Sequence, residues 1–271
     1  PTATQELPLV KNKRIVDAHY GYSYTSIQTD ACTLQYIIPL ALRAVRPKDM
    51  EDREMKLAIQ LMRADDTCPG AQEQEQRFLI AVAERTTADM QRVRQAVETI
   101  KVYHGLAKNK LGQSFYLSSL AVAHIALDYN TEEATLLGAL FYEAIKGKQL
   151  LPEHIEIRYD DEVIQLTAGL REFHNNKDKF YTIKHSAAEN IQHLLEVRDP
   201  RVLYIVLADR MHTMRTIKST SYEDQFRLAE ETLLFLVPLA ERLALTETAV
   251  ELKQLCMETL NQDESSVECL G

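Results

Sequence analysis

One stretch in the last third of the chain joins an apolar run to a cluster of charged residues. Residues 205–208 read Ile-Val-Leu-Ala, and Asp209 follows them directly. Arg210, His212 and Arg215 come next at helical spacing. An isolated carboxylate at the end of a buried run costs too much free energy to stand uncompensated. Asp209 must therefore be paired with a cation, hydrogen-bonded or bound to a metal ion.

Helical periodicity dominates most of the chain. Apolar residues recur at three- and four-residue spacings in one segment after another, as they do over residues 93–103. The 271 residues include only 8 Gly and 8 Pro, which favours long helices with few sharp turns. We predict an all-α fold with a helical N-terminal extension over residues 1–85, a main domain over 86–262 and a flexible tail over 263–271.

Composition excludes some classes of function and leaves others open. Hydrophobic residues make up 45% and charged residues 26%, which is ordinary for a soluble globular protein. A net charge of −9 argues against a general nucleic-acid binder, which would need a basic face. No long apolar segment predicts a membrane span. The 4 cysteines form no CxxC pattern, so we expect free thiols in a cytoplasmic protein.

The charged stretch that begins at Asp209 resembles the LADRxHxMRT signature of the HD hydrolase domain of the RelA/SpoT alarmone enzymes. Four other segments resemble motifs of that family and come in the family's order; they lie at 120–123, 138–141, 189–195 and 231–243. The resemblance covers roughly residues 90–262 and implies an HD-domain-like helical bundle. In this family the domain removes the 3′-pyrophosphate from (p)ppGpp with a manganese ion, and the resemblance makes Asp209 a metal-ligand position.

The other positions that the family uses for catalysis hold different residues here. The replacements are Ser118 and Tyr142 for two histidine ligands, Glu143 for an aspartate ligand, and Lys146 and Gly147 for the acid–base pair. A hydrolytic metal site needs about three or more protein ligands and an open position for water. Lys146 would also place a positive charge where the cation should bind. We therefore expect a catalytically inactive pseudo-hydrolase without a metal cofactor, whereas active members of the family use Mn²⁺.

A metal site rebuilt around Asp209 is the alternative. It would make the chain a diverged metal-dependent pyrophosphohydrolase of (p)ppGpp or another nucleotide. His124, His193 and His212 lie on helices that match the family. However, His124 lies six positions beyond Ser118, about 600° around a helix, and so faces elsewhere. We expect these histidines to be structural.

A nucleotide could still bind without being hydrolysed. The candidate nucleotide-binding residues are Lys108, Lys110, Arg210, Thr213 and Arg215. Arginine is the natural bidentate partner of phosphate, but Arg210 and Arg215 could instead pair with Asp209 or Glu231, and we expect that structural pairing. The extension over residues 1–85 is a candidate surface for a partner protein. The sequence thus predicts a regulatory or binding role, with a partner protein or a guanine nucleotide such as ppGpp as the ligand.

Overall fold

The computed structural model describes residues 70–104, 108, 113–147, 155, 159–176 and 186–261. All of these residues belong to one compact unit, Asp52–Gly271. The predictions for residues 1–69, for Lys110 and for the tail over 263–271 lie outside the described residues.

The described chain is helical, which confirms the predicted all-α fold class for this part of the protein. Its α-helices are α1 Ala71–Arg85, α2 Met90–His104, α3 Phe115–Ala126, α4 Glu133–Lys146, α5 Asp161–Asn175, α6 Ala187–Leu195, α7 Arg201–Arg215, α8 Tyr222–Glu231, α9 Val237–Arg242 and α10 Thr246–Asn261. A short 3₁₀ helix, Ile217–Ser219, follows α7. Within these described residues, no helix is both long enough and apolar enough to cross a membrane.

Helix α4 lies at the centre of the core. It contacts α2, α3, α5 and α7, and its apolar residues point in every direction, as expected for a helix that is buried on all sides. The absence of a side chain at Gly138 allows α5 and α7 to approach α4 closely. A Cβ atom at this position would lie 3.0 Å from Leu166 Cδ2 on α5 and 3.1 Å from Ile205 Cδ1 on α7.

Helix α1 packs against the helices that follow it. Phe78 and Val82 are fully buried in the common core. The Gln74 amide donates a hydrogen bond to the Leu117 carbonyl oxygen, and the Arg85 guanidinium donates to the Leu127 carbonyl oxygen. The boundary predicted after residue 85 therefore falls between two helices of one compact unit.

The helical winding of the chain changes between α8 and α9. Thr232–Leu236 forms a π-helical turn between α8 and α9. Pro238 has no N–H group, and in a regular α-helix its ring would clash with the carbonyl group of Leu234, four residues earlier. The wider π turn provides the room that the proline ring needs.

Candidate functional site

The C-terminal end of α4 meets the middle of α7 through three charged side chains. Lys146 Nζ lies 2.6 Å from Glu143 Oε1 and 2.7 Å from Asp209 Oδ1. Glu143 and Lys146 are three residues apart and therefore share one face of α4. Their side chains are largely but not completely buried, with exposed fractions between 12% and 22% for the three residues. We call Glu143, Lys146 and Asp209 the lysine–carboxylate triad.

Tyr142 provides one wall of this site. Its side chain is buried, and Lys146 Nζ lies 4.9 Å from the centre of its ring. At this distance the ring face attracts the ammonium group electrostatically. Burial and the nearby Asp209 charge raise the pKa of the Tyr142 phenol, so the phenol stays protonated. The residue at a predicted histidine position thus contacts a lysine through its ring.

The triad keeps Lys146 charged. Burial alone would lower the pKa of Lys146, but the charges of Asp209 and Glu143 outweigh burial and raise it above the ordinary value. Burial would raise the pKa of Asp209, but the charge and hydrogen bond of Lys146, together with the Arg210 charge, outweigh burial and lower that pKa. Burial is the largest effect on Glu143 and raises its pKa, with the Asp209 charge acting in the same direction. The site therefore favours the ionised form of Asp209 and disfavours that of Glu143 relative to water.

The donor set at the triad does not fit a divalent cation. The Lys146 ammonium group lies between the two carboxylates and would repel such an ion. Ser118 is half-buried, and a hydroxyl is a weaker metal ligand than the imidazole that the resemblance implies there. In the part of the chain that the structure describes, no group of three or more His, Cys, Asp or Glu residues could hold a metal ion. Gly147 only caps α4, and its N–H group donates to the Glu143 carbonyl oxygen at 3.0 Å.

Two arginines in the second half of α7, Arg210 and Arg215, bind acidic side chains. Arg210 is buried and donates to Glu231 Oε1 at 2.5 Å and to Thr232 Oγ1 at 2.9 Å. Arg215 donates two hydrogen bonds to the Glu251 carboxylate, at 2.7 and 2.9 Å. Both arginines thus form the structural pairs that we expected. The partner of Arg215 is Glu251, which was not among the predicted partners.

Two other predicted nucleotide-binding residues lie in the described structure. Thr213 Oγ1 donates to the Asp209 carbonyl oxygen at 2.8 Å, a bond within its own helix. Lys108 is exposed and forms an isolated β-bridge with Ser114 just before α3. The contacts shown for Thr213 and Lys108 are thus with their own helix and with Ser114.

The histidines of the alternative site lie on separate helices. His124 is on α3, His193 on α6 and His212 on α7. Burial lowers the pKa of His212, and the Asp209 charge only partly opposes this effect. His212 therefore carries no charge at neutral pH.

A buried histidine that the sequence reading did not single out lies near α3. His104, at the end of α2, is almost fully buried, and its Nε2 atom lies 3.1 Å from Ser119 Oγ. Its ring stacks on Phe115 with 5.8 Å between the ring centres. Sequence spacing could not reveal this contact, because it joins the ends of two separate helices.

Comparison with known proteins identifies the fold. The sequence profile described as HD domain matches residues 96–246, more than half of the chain. The chain belongs to the HD domain family. This finding confirms the bundle type that the 205–216 signature implied.

Several curated relatives of this HD domain are named as GTP pyrophosphokinases or as a (p)ppGpp synthase/hydrolase. It is 33% identical over 162 residues to the GTP pyrophosphokinase rsh of Brucella ovis, covering 59% of this chain and 21% of the relative. It is 32% identical over 173 residues to the bifunctional (p)ppGpp synthase/hydrolase SpoT of Escherichia coli, covering 63% and 24%. It is 31% identical over 176 residues to a probable GTP pyrophosphokinase of Mycobacterium leprae, covering 64% and 22%. The chain is thus homologous to RelA/SpoT proteins and matches less than a quarter of the length of each of these relatives.

Proposed function

We propose that this HD domain is a catalytically inactive pseudo-hydrolase with a regulatory or binding role. The observation that carries the proposal is the position of Lys146 Nζ, 2.6 Å from Glu143 and 2.7 Å from Asp209. Its positive charge offsets part of the negative charge by which the two carboxylates would otherwise attract a divalent ion. A lysine cannot replace such an ion in catalysis, because it has no open coordination position at which water could be activated.

The acid–base step of a hydrolysis also lacks a suitable group. Lys146 is held protonated by two carboxylates, so it cannot accept a proton from water. Gly147 has no side chain. These two residues stand at the positions that the resemblance assigns to the acid–base pair, which supports a loss of turnover as well as a loss of metal.

The charges around the site favour a protein partner over a guanine nucleotide. A polyphosphate needs cationic groups that can turn towards it. Lys146, Arg210 and Arg215 are each bound to carboxylates of the same chain. A guanine nucleotide remains the second ligand class to test, because the names of the relatives include (p)ppGpp and GTP. The use of residues 1–85 as the partner surface stays a prediction.

The competing hypothesis is a hydrolase with a metal site rebuilt around Asp209. The side chains near Asp209 do not support it. Asp209 is already bound to Lys146 Nζ. In the described part of the chain, no histidine lies with Asp209 in a group that could hold a metal ion.

Turnover assays test the proposal directly. The purified chain is incubated with ppGpp and Mn²⁺, and nucleotide products are separated by chromatography. We expect no hydrolysis by the wild type, and the same result for Asp209→Ala. Mn²⁺-dependent hydrolysis that disappears in Asp209→Ala would contradict the proposal, since a contaminating enzyme would be unaffected by the substitution.

Calorimetry then identifies the ligand class. The EDTA-treated protein is titrated with ppGpp, with and without Mn²⁺. We expect no saturable heat in either titration if the partner is a protein. Saturable binding without metal would instead identify a nucleotide-binding pseudo-hydrolase.

A further inference from the structure

Helix α6, only 9 residues long, leaves part of its apolar surface outside the core. One face enters the core, where Leu194 and Asn190 are almost completely buried against α9 and the π turn. The second face consists of Ala188, Ile191 and Leu195, which follow each other at spacings of three and four residues. Residues at these spacings line one side of a helix and form the seam of paired helices.

The second face lies in an open groove. Ala188, Ile191, Gln192, Leu195, Glu196 and Arg242 line a cavity of about 440 Å³ between α6 and α9. The Leu195 side chain stays 41% exposed there, although a leucine gains about 1.5–3 kcal/mol on full burial. Leu234, on the π turn that α6 contacts, is 51% exposed. The exposed part of Leu195 thus offers the groove an apolar surface that a partner could cover.

The charges of the groove indicate what occupies it. Glu196 directly follows α6 and Arg242 is the last residue of α9, and both are exposed. Neither has an ion pair with any residue that the structure describes. One groove therefore presents an acid and a base of opposite charge, which makes it complementary to itself.

We propose that this groove binds the same groove of a second copy of the chain. In a twofold interface, residue i of one protomer contacts residue j of the other, and j contacts i in return. Two α6 helices pack antiparallel, Leu195 enters the partner groove beside the small Ala188, and Glu196 of each protomer pairs with Arg242 of its partner. A partner of a single charge would leave one of these two groups without a counter-charge.

The size of the helix sets the strength of the dimer. A helix of this length spans about 13 Å, so two such helices bury less than the ~800 Å² per partner of a standard stable interface. We therefore expect a reversible dimer that forms with increasing concentration, with a dissociation constant on the order of micromolar.

Sedimentation velocity on the full chain tests the proposal over a range of concentrations. We expect the wild type to shift from the 31.0 kDa monomer towards twice that mass as its concentration rises. Leu195→Glu should abolish the shift, because it places a charge in the apolar seam of both protomers. Val250→Glu is the matched control, since Val250 is 62% exposed on α10 and does not line the groove.

A charge exchange separates self-association from other causes. Glu196→Arg and Arg242→Glu should each weaken dimerisation at least tenfold, and the double variant should restore it. A wild type that stays monomeric at several hundred micromolar would overturn the proposal. So would a dimer that tolerates Leu195→Glu, or a double variant no better than the single ones. Lower thermal stability in a purely monomeric Leu195→Glu variant would mean that another part of the same chain covers the groove, which also contradicts the proposal.

Discussion

Lys146 provides the positive charge that stabilises the two carboxylates of the triad. Its ammonium group is covalently part of the chain, so the positive charge beside Glu143 and Asp209 does not depend on any ion in solution. Removing the charges of a buried ion pair together is often tolerated, whereas removing one partner leaves an uncompensated charge. In the triad, the loss of Lys146 alone should be especially costly, because it would leave two neighbouring carboxylates without a counter-charge.

Lys146→Met should therefore destabilise the domain. We expect the free energy of unfolding to fall by about 2–4 kcal/mol, somewhat less than for fully buried pairs because the triad is partly exposed. Urea denaturation at pH 7 measures the change. Adding Glu143→Gln and Asp209→Asn to the same variant should recover most of it. Arg77→Met, which breaks an exposed pair with Glu73, should cost no more than about 0.5 kcal/mol. Equal effects of the two single substitutions would contradict the role of the triad.

The pH dependence of stability should distinguish the two carboxylates. The lowered pKa of Asp209 means that its contribution is complete above the unfolded value of about 3.9 and is lost as pH falls through the folded pKa. The difference in unfolding free energy between wild type and Asp209→Asn should thus be constant at neutral pH and shrink below about pH 4. Acid-range urea titrations of both proteins provide the comparison.

Glu143 should behave in the opposite way. Its pKa is raised in the folded state, so its contribution is greatest below the unfolded value of about 4.3 and is lost as pH rises through the folded pKa. The same titrations with Glu143→Gln measure this contribution. Parallel curves for Asp209→Asn and Glu143→Gln would show that the two carboxylates are not held differently.

At the scale of the element, α4 brings the site together because it packs closely on all sides. At Gly138 helix α4 has no side chain, so α5 and α7 can approach α4 closely. The close approach of α7 to α4 brings Asp209 within reach of Lys146. A Cβ atom at residue 138 would lie 3.0 Å from one neighbouring methyl group and 3.1 Å from another, so there is little room for a larger residue.

Gly138→Leu should therefore separate these helices. Overpacking typically costs about 1–3 kcal/mol, and we expect a loss at the upper end because two helices must move. Thermal unfolding followed by circular dichroism measures it. Gln91→Leu, at an exposed position of α2, is the control and should change stability by less than about 0.5 kcal/mol. An unchanged melting temperature for Gly138→Leu would mean that the helices are packed less tightly than the structure indicates.

At the scale of the whole molecule, the compact unit extends beyond the region that matches the HD domain. The match begins at residue 96, whereas Phe78 and Val82 of α1 are fully buried in the same core. The Tyr116 hydroxyl also donates to the Glu75 carboxylate at 2.6 Å. Helix α1 should thus unfold together with the rest of the unit.

Phe78→Ala tests this cooperativity. The substitution should lower the unfolding free energy by about 3–5 kcal/mol and leave a single transition by fluorescence and circular dichroism. Ile80 lies on the same helix and is 49% exposed, so Ile80→Ala should lower the unfolding free energy only slightly. A second, earlier transition in the wild type would show that α1 unfolds separately.

The sequence alone predicted the all-α fold class, which the described helices confirm, and it predicts that the family's catalytic residues are replaced. Helical periodicity is a local property, so it predicted the helices of the described chain. The replacements at Ser118, Tyr142 and Lys146 can be read directly once the 205–216 signature sets the register. The same local rules missed the π turn at Thr232–Leu236, because it depends on how Pro238 is accommodated within a longer helix.

The tertiary structure alone decided which cation compensates Asp209. Arg210 is the neighbour in sequence, but consecutive residues point about 100° apart on a helix, so Arg210 reaches Glu231 instead. The actual partner, Lys146, is 63 residues away. The groove beside α6 likewise exists only through the packing of α6 on α9. Pairing between helices depends on their rotation and approach, which the sequence of either helix does not specify.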